Sequence, residues 1–218
     1  MSAFPIFDYT LYASSIIKNF KQIEIKRMPF RLLNQWIMEE KNAGASNPQH
    51  AVLATATLNG IPHSRVVAIR EITVSELIFF TQKGTKKVND IIQNPQVSLT
   101  FWFEIKQREV VLDGVVEPLS QAEVVHYWDT NPQSAQLRFT AYAPTSMQPI
   151  PSKKVIEDKK AAIEKEYIDK KLPLSPYYCG FRIRPSKFIF YSLRSDELSD
   201  VLEYNWQNEQ WHQRILSP

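Results

Sequence analysis

The sequence predicts a mainly β chain with inserted helices, folded as a closed or partly closed antiparallel barrel. Three observations predict it. Two apolar, β-branched runs, AVLATATL (51–58) and IPHSRVVAIR (61–70), meet across Asn59-Gly60, a strong short-range hairpin signal. A second pair, QVSLTFWF (96–103) and REVVLDGVVEP (108–118), meets around Glu104–Gln107. Few helical patterns separate the strands, and an antiparallel sheet of this kind removes its exposed edges by closing on itself.

Each element has a local cause. Residues 1–28 show no clear periodicity and read as an arm, leaving one domain over 29–218. Pro29 suits a helix start, Phe30, Leu33, Trp36, Ile37 and Glu40 fall on one helical face, and Gly44 suits the stop. LIFFT (77–81) reads as a strand. A turn follows, then a helix with Thr85 as N-cap that runs to Asn94-Pro95. Ser120 and Glu123 form a capping box that opens a helix carrying Val124, Val125, Tyr127 and Trp128, which Asn131-Pro132 ends or kinks. Residues 143–152 are a proline-rich loop. Residues 152–171 form a highly charged helix whose apolar stripe (Val155, Ile156, Ala162, Ile163) is narrow, so it lies on the surface. The chain then returns to strands at 177–185, 187–193, 201–206 and 210–216, the last two joined by Gln207–Glu209.

Composition removes several function classes. The 218 residues carry a net charge of only +3, too mild for a polyanion track and better suited to a local pocket for a small anion. One cysteine, Cys179, allows no disulfide within the chain and points to the cytoplasm; set among aromatic strand residues, it reads as a small buried hydrophobe. The first twenty residues lack a basic segment and contain Asp8, so they do not read as a signal peptide, and no apolar run is long enough to span a membrane. His50, His63, His126 and His212 are too scattered for a metal site. With five glycines and no G-x-G-x-x-G, P-loop or G-x-S-x-G, neither a glycine-rich phosphate loop nor a nucleophile elbow is present.

What remains is a cationic constellation. Arg65 shares a strand face with Val67 and Ile69, while Val66, Ala68 and Arg70 share the other. A half-buried arginine requires an anionic or acceptor-rich partner, either an internal carboxylate or a ligand. Lys86 and Lys87 follow Thr85 on the first turn of a helix, where the macrodipole already places positive charge. A phosphate dianion at that helix start would turn the misplaced lysines into an asset, with Arg65 and Arg70 reaching in from the neighbouring hairpin. Trp102, Phe103, Trp128, Tyr177 and Tyr178 could line a ring-binding pocket, although such residues more often form core or interface.

In order along the chain, RVVAIR, FFTQKGTKKV, NPQVSLTFWF, REVVLDGVVEPLS and CGFRIRPSKFIFY resemble the pyridoxamine 5′-phosphate oxidase family from about residue 29 to the C-terminus. The resemblance implies an antiparallel FMN-binding split β-barrel and a homodimer with FMN at the subunit interface, contacting both chains. It implies a flavin site of Arg65, Val66, Val67 and Arg70, then Phe80-Thr81, then Lys86-Lys87, where the family usually has arginine first. It places Glu109 where the family has glutamine, Thr145-Ser146 where it has Gln-Ser, and Tyr191 where it has tryptophan. In the family a hydride passes from the substrate to the flavin, which oxygen reoxidises.

The substrate positions depart further. The family's lysine, tyrosine, arginine and serine for the substrate phosphate correspond to Arg70, Tyr127, Asn131 and Ala135, of which the first two still suit. Its Arg-Leu-His-Asp-Arg corresponds to Glu197, Leu198, Ser199, Asp200 and Val201. The carboxylate at 197 reverses the local charge; whether Arg194 compensates is open at this level. Three readings follow. One is an FMN-dependent oxidase whose substrate is either still a pyridoxine or pyridoxamine phosphate or, as the substitutions favour, another ring compound, such as the cyclic substrates of related phenazine-pathway oxidases. The second is a flavin-binding carrier or sensor without turnover. The third is a structural dimer that no longer binds flavin, against which the retained Lys86-Lys87 pair argues.

Overall fold

The computed structural model describes residues 28–168, 170–195 and 197–218, so the arm expected at the N-terminus lies outside the described residues apart from residue 28, which is already helical. Helix α1 occupies residues 28–42, and Gly44, at a φ of 111° that only glycine adopts freely, ends it. Then come β1 (His50–Ala56), β2 (Pro62–Ile72), β3 (Leu77–Gln82), α2 (Lys86–Gln93), β4 (Gln96–Phe103) and β5 (Arg108–Pro118). Helices α3 (Gln121–Thr130), α4 (Gln133–Tyr142) and α5 (Lys153–Glu166) follow as an insertion, before β6 (Tyr178–Ser192), β7 (Asp200–Gln207) and β8 (Gln210–Leu216).

All pairings are antiparallel, in the order β3-β2-β1-β4-β5-β6-β7-β8, and β3 also pairs with β6. That last pairing closes six strands into a barrel, with β7 and β8 continuing from β6 as a flap. The closure depends on the 15 residues of β6. Its first half, Tyr178–Ile183, pairs with β3, and its second, Lys187–Ser192, with β7. The sequence suggested two strands here, broken near Pro185. They are one, because a register shift opposite Asp113 and Gly114 absorbs Ser186, and a bulge tolerates a proline that cannot donate. Gly114 is required there: a Cβ would lie 2.5 Å from the Arg184 carbonyl oxygen.

Two other turns refine the expectations. At the first hairpin the strands stop at Ala56 and resume at Pro62, and the Gly60 amide donates to the Thr57 carbonyl at 2.9 Å. Leu58-Asn59 is therefore the centre of the turn, and Gly60, at φ 79°, supplies the left-handed residue after it. At the last hairpin Asn208 and Glu209 take φ of 49° and 60°, which matches the strand twist without glycine. Ser120 and Glu123 do form a capping box. After Asn131-Pro132 the chain resumes a helix, α4, that the sequence pattern did not single out. Its apolar positions are few and dispersed, and its place is set by packing of Leu137 and Phe139 around Trp128 and Tyr178.

Inside the barrel, Leu53, Phe79, Leu99, Phe101, Leu112, Ile183 and Phe188 are fully enclosed. Phe30, Leu33 and Ile37 of α1 seal this core, with Phe30 edge-on to Phe188 at 5.1 Å. Glu40, buried on the same helix, accepts hydrogen bonds from the Ile105 and Lys106 amides at 2.9 and 3.1 Å and so satisfies the β4–β5 turn. Phe103, Trp128 and Tyr178, named as pocket candidates from sequence, are core; Trp102 and Tyr177 are exposed. Helix α5 buries none of its residues, as its narrow stripe implied. Among the described residues no helix is long and apolar enough to cross a membrane.

Replacing Glu40 with alanine removes the shared acceptor of two partly buried turn amides. Equilibrium urea unfolding should show a loss of about 1–3 kcal/mol with an unchanged slope.

Candidate functional site

The period-2 pattern of β2 holds. Val67 and Ile69 point into the core, Arg65 occupies the same face at the barrel's end, and Val66, Ala68 and Arg70 point outward. Where β3 ends, Gly84 at φ 79° turns the chain into α2. Thr85 takes the N-cap position but does not cap: its hydroxyl donates backward to the Gln82 carbonyl at 2.8 Å, and the first turn contains no acidic residue. The helix thus starts with amides that its N-cap side chain leaves unsatisfied and with two lysines above them, an arrangement suited to an anion.

The strand–helix junction gathers Arg65, Thr81, Lys86 and Lys87, four of the residues singled out from sequence. It also brings in a residue that was not, Asp90. Only 4% of the Asp90 side chain is exposed. Its Oδ2 accepts from the Thr55 hydroxyl at 2.8 Å and lies 3.9 Å from Arg65 Nη2, and its Oδ1 accepts from Lys86 Nζ at 3.3 Å. Arg65 Nη1 also donates to Thr55 Oγ1 at 2.8 Å and to the Leu53 carbonyl at 3.1 Å. Burial pushes the Asp90 carboxyl up, but the Thr55 hydroxyl, Lys86 and His63 outweigh it and hold it below the usual carboxylate range.

Lys87 differs. It donates to Thr81 Oγ1 at 3.1 Å and, among the described residues, has no carboxylate within ion-pair distance. Burial, and then the charge of Arg65, push its ammonium below the usual lysine range. Arg65 and Lys86 are therefore partly neutralised from within, and Lys87 is the cation that an external anion would relieve. A spacing signal for Asp90 did exist, since it stands four residues after Lys86 on a helix. Thr55 and His63 are directly opposite in the β1–β2 register, which only the fold supplies.

The other residues suggested by the family resemblance fall into separate groups. Glu109 and Tyr191 face each other across β5 and β6, next to Trp102. Along β4 that row lies five residues, about 17 Å, from the end near Thr55. Thr145 and Ser146 line a cavity of about 620 Å³ between α4, the proline-rich loop and α5, which shares no residue with the basic cluster. Val67 is buried with its side chain in the core, whereas Val66 is exposed on the outer face. Phe80 stacks parallel on Tyr178, with centroids 4.9 Å apart, and lies 5.0 Å from Tyr127.

Around this stack are the substrate positions. The Tyr127 hydroxyl donates to Glu71 at 2.5 Å, and burial together with that carboxylate raises its pKa to about 12. Asn131 Nδ2 donates to the Tyr178 hydroxyl at 3.0 Å. Arg70 is exposed at the outer face of β2. In the 193–200 loop, Arg194 binds both Glu197 and Asp200 at 3.0 Å, so it is occupied by the loop's own carboxylates. Cys179 donates to the Thr81 carbonyl, and burial pushes its thiol up to about 11. That agrees with its reading as a small hydrophobe and removes it as a nucleophile at neutral pH.

Residues 37–166 match the pyridoxamine 5′-phosphate oxidase family. This chain belongs to that family. A pyridoxine/pyridoxamine 5′-phosphate oxidase of Trichormus variabilis is 30% identical over 97% of this chain and 95% of its own length. One from Alteromonas mediterranea is 32% identical over 89% and 92%. Among solved structures, PhzG from Burkholderia lata in complex with tetrahydrophenazine-1-carboxylic acid superposes with a TM-score of 0.78 at 24% identity, covering 87% of this chain and 92% of that one. An FMN-binding protein related to pyridoxamine 5′-phosphate oxidase from Nostoc punctiforme gives 0.71 at 18%, covering 87% and 98%. These structural likenesses establish the split-barrel fold.

Two outcomes follow from the site. With a folded pKa below its unfolded value, Asp90 contributes stability that is present above about pH 4 and lost as pH falls through the lower folded value. Asp90→Asn should cost about 1–3 kcal/mol at pH 7 by urea unfolding and progressively less below pH 4. Alkylation of Cys179 by iodoacetamide at pH 8 should be about two orders of magnitude slower than for a free cysteine, and should accelerate as pH approaches 11.

Proposed function

We propose that this protein is an FMN-dependent oxidoreductase, with the flavin phosphate held by Arg65, Lys86, Lys87 and Thr81. The observation that carries this is the acid-free, uncapped start of α2, with Lys87 beside Arg65 and Lys86 and, among the described residues, without a carboxylate partner. Three cations against the single Asp90 carboxylate leave two positive charges, which a phosphate dianion balances. Bound FMN would accept a hydride from the substrate and be reoxidised by oxygen; the protein's part is to position and tune it. Arg70, Val66, Val67, Phe80, Glu109, Thr145, Ser146 and Tyr191 complete the flavin contacts in this reading, Val67 through its backbone. The scatter of these groups within one chain, and the exposure of Val52 and Val66 on the outer sheet face, support a homodimer in which the second copy supplies part of each site. A cytoplasmic location goes with the single free cysteine.

The substrate differs from a B6 phosphate in this reading. Arg70 sits beside Glu71, which is already engaged by Tyr127, and Asn131 and Ala135 offer no charge to a phosphate ester. The Arg194–Glu197–Asp200 group adds net negative charge where the family has arginine and histidine. A ring compound without a phosphate group fits these surroundings better. The same self-paired loop favours the second reading, a flavin-binding protein without turnover.

Purified protein should carry flavin absorbance. Lys87→Gln should weaken FMN binding by about 10- to 100-fold in a fluorescence-quenching titration while leaving riboflavin binding nearly unchanged. An equal loss for both flavins would place the phosphate elsewhere. Oxygen consumption with pyridoxine 5′-phosphate should stay near background; rapid turnover would show that the ancestral substrate is retained.

A further inference from the structure

His63 stands opposite Thr55 on β2, with its Nδ1 buried, 3.3 Å from Asp90 Oδ2, and yet making no hydrogen bond among the described residues. Each of the other polar groups on Asp90 is aligned or charged; this imidazole nitrogen is close but idle. Among the described residues, the charged and titratable groups facing the carboxylate are Arg65 and His63 from β2 and Lys86 from α2 itself, while β1 contributes the Thr55 hydroxyl. Lys87 points away to Thr81 of β3, and the nearby Cys179 of β6 is a neutral thiol.

We propose that His63 is a positioning residue that sets, through Asp90, how strongly this cluster holds a phosphate dianion, and that it does so as a function of pH. The inference rests on the reading of the cluster as the FMN phosphate site. With neutral imidazole, Asp90 draws on Arg65 and Lys86 for its counter-charge. A protonated His63 gives the carboxylate a cation of its own. Arg65 and Lys86 are then released toward the ligand, and the cradle gains one positive charge. The imidazole touches neither flavin nor substrate in this scheme; it acts on the ligand only by relieving Asp90.

The ligand's own titration works in the opposite direction, since a phosphate monoester loses its second charge near pH 6. A pH profile of the wild-type protein alone would mix the two effects. The informative quantity is the ratio of dissociation constants between His63→Gln and wild type, in which the ligand's titration cancels. FMN binding to the full-length apoprotein, followed by quenching of flavin fluorescence, should give a ratio within about twofold at pH 8.0, rising to about three- to tenfold at pH 5.5. Riboflavin, which has no phosphate, should give a ratio near one at both pH values. His63→Lys, with a fixed charge, should bind FMN at pH 8.0 at least as tightly as wild type. Circular dichroism of each variant at both pH values establishes that folding is intact. An FMN ratio that does not change with pH, or one matched by riboflavin, would overturn the role of His63 while leaving the proposed function standing. If wild-type protein binds FMN no more tightly than riboflavin at either pH, the phosphate-site assignment itself fails, and this inference with it.

Discussion

The architecture depends on one strand pairing with different partners along its length. β6 pairs with β5 over almost its whole extent, with β3 over its first half and with β7 over its second. Without the β3 pairing the sheet would be open, with unsatisfied edges on both sides. With it, six strands close around a phenylalanine- and leucine-rich interior. The bulge opposite Asp113 and Gly114 accommodates Pro185 at the junction between the segment of β6 paired with β3 and the segment paired with β7. The end of β3 is thereby fixed, and with it the point from which α2 begins. The basic cluster thus owes its place to a barrel closure made by residues nearly a hundred positions later in the chain.

Within that frame the site's electrostatics turn on Asp90. A buried carboxylate beside an arginine, a lysine and an imidazole could be read as a closed, self-sufficient ion network, and taken alone such networks say little about ligands. Two features argue otherwise. Lys87 sits in the same junction but, among the described residues, reaches a hydroxyl and no carboxylate, and the helix start beneath it lacks both a capping side chain and an acid. In the proposed reading the carboxylate holds Arg65 and Lys86 in position without exhausting their charge, which suits the cluster to an anion.

On the opposite side of the proposed pocket, most polar groups are paired with neighbours. Tyr127 is committed to Glu71, Asn131 to Tyr178, and Arg194 to the carboxylates of its own loop. Tyr127, Asn131 and Arg194 are thus satisfied by neighbours, Arg70 is left exposed, and the half-buried Phe80 stacks on the enclosed Tyr178 ring. In the proposed reading the cofactor end keeps its cations, whereas the substrate end departs from the family's residue types. Membership in the family informs the first far more than the second.

Much of the fold was legible locally. The hairpins, the capping box at Ser120, the surface helix after Ser152 and the face assignment of Arg65 all follow from periodicity and turn chemistry, which act over a few residues, although that helix ends at Glu166 and not at 171. The basic pair at 86–87 was conspicuous because it violated a local rule. Helix α4 escaped because its pattern is weak and its position is set by packing around Trp128. The two expected strands at 177–193 proved to be one because the bulge that joins them needs a partner strand to exist. Asp90 could have been flagged by its spacing from Lys86, but its partners on β1 and β2 could not, since Thr55 and His63 meet only when the hairpin register is set. The sequence by itself thus determined the strands, the turns and the identity of the cations. Tertiary structure alone decided the counter-charge they answer to, because Coulomb partners are chosen by distance in space and not by separation along the chain.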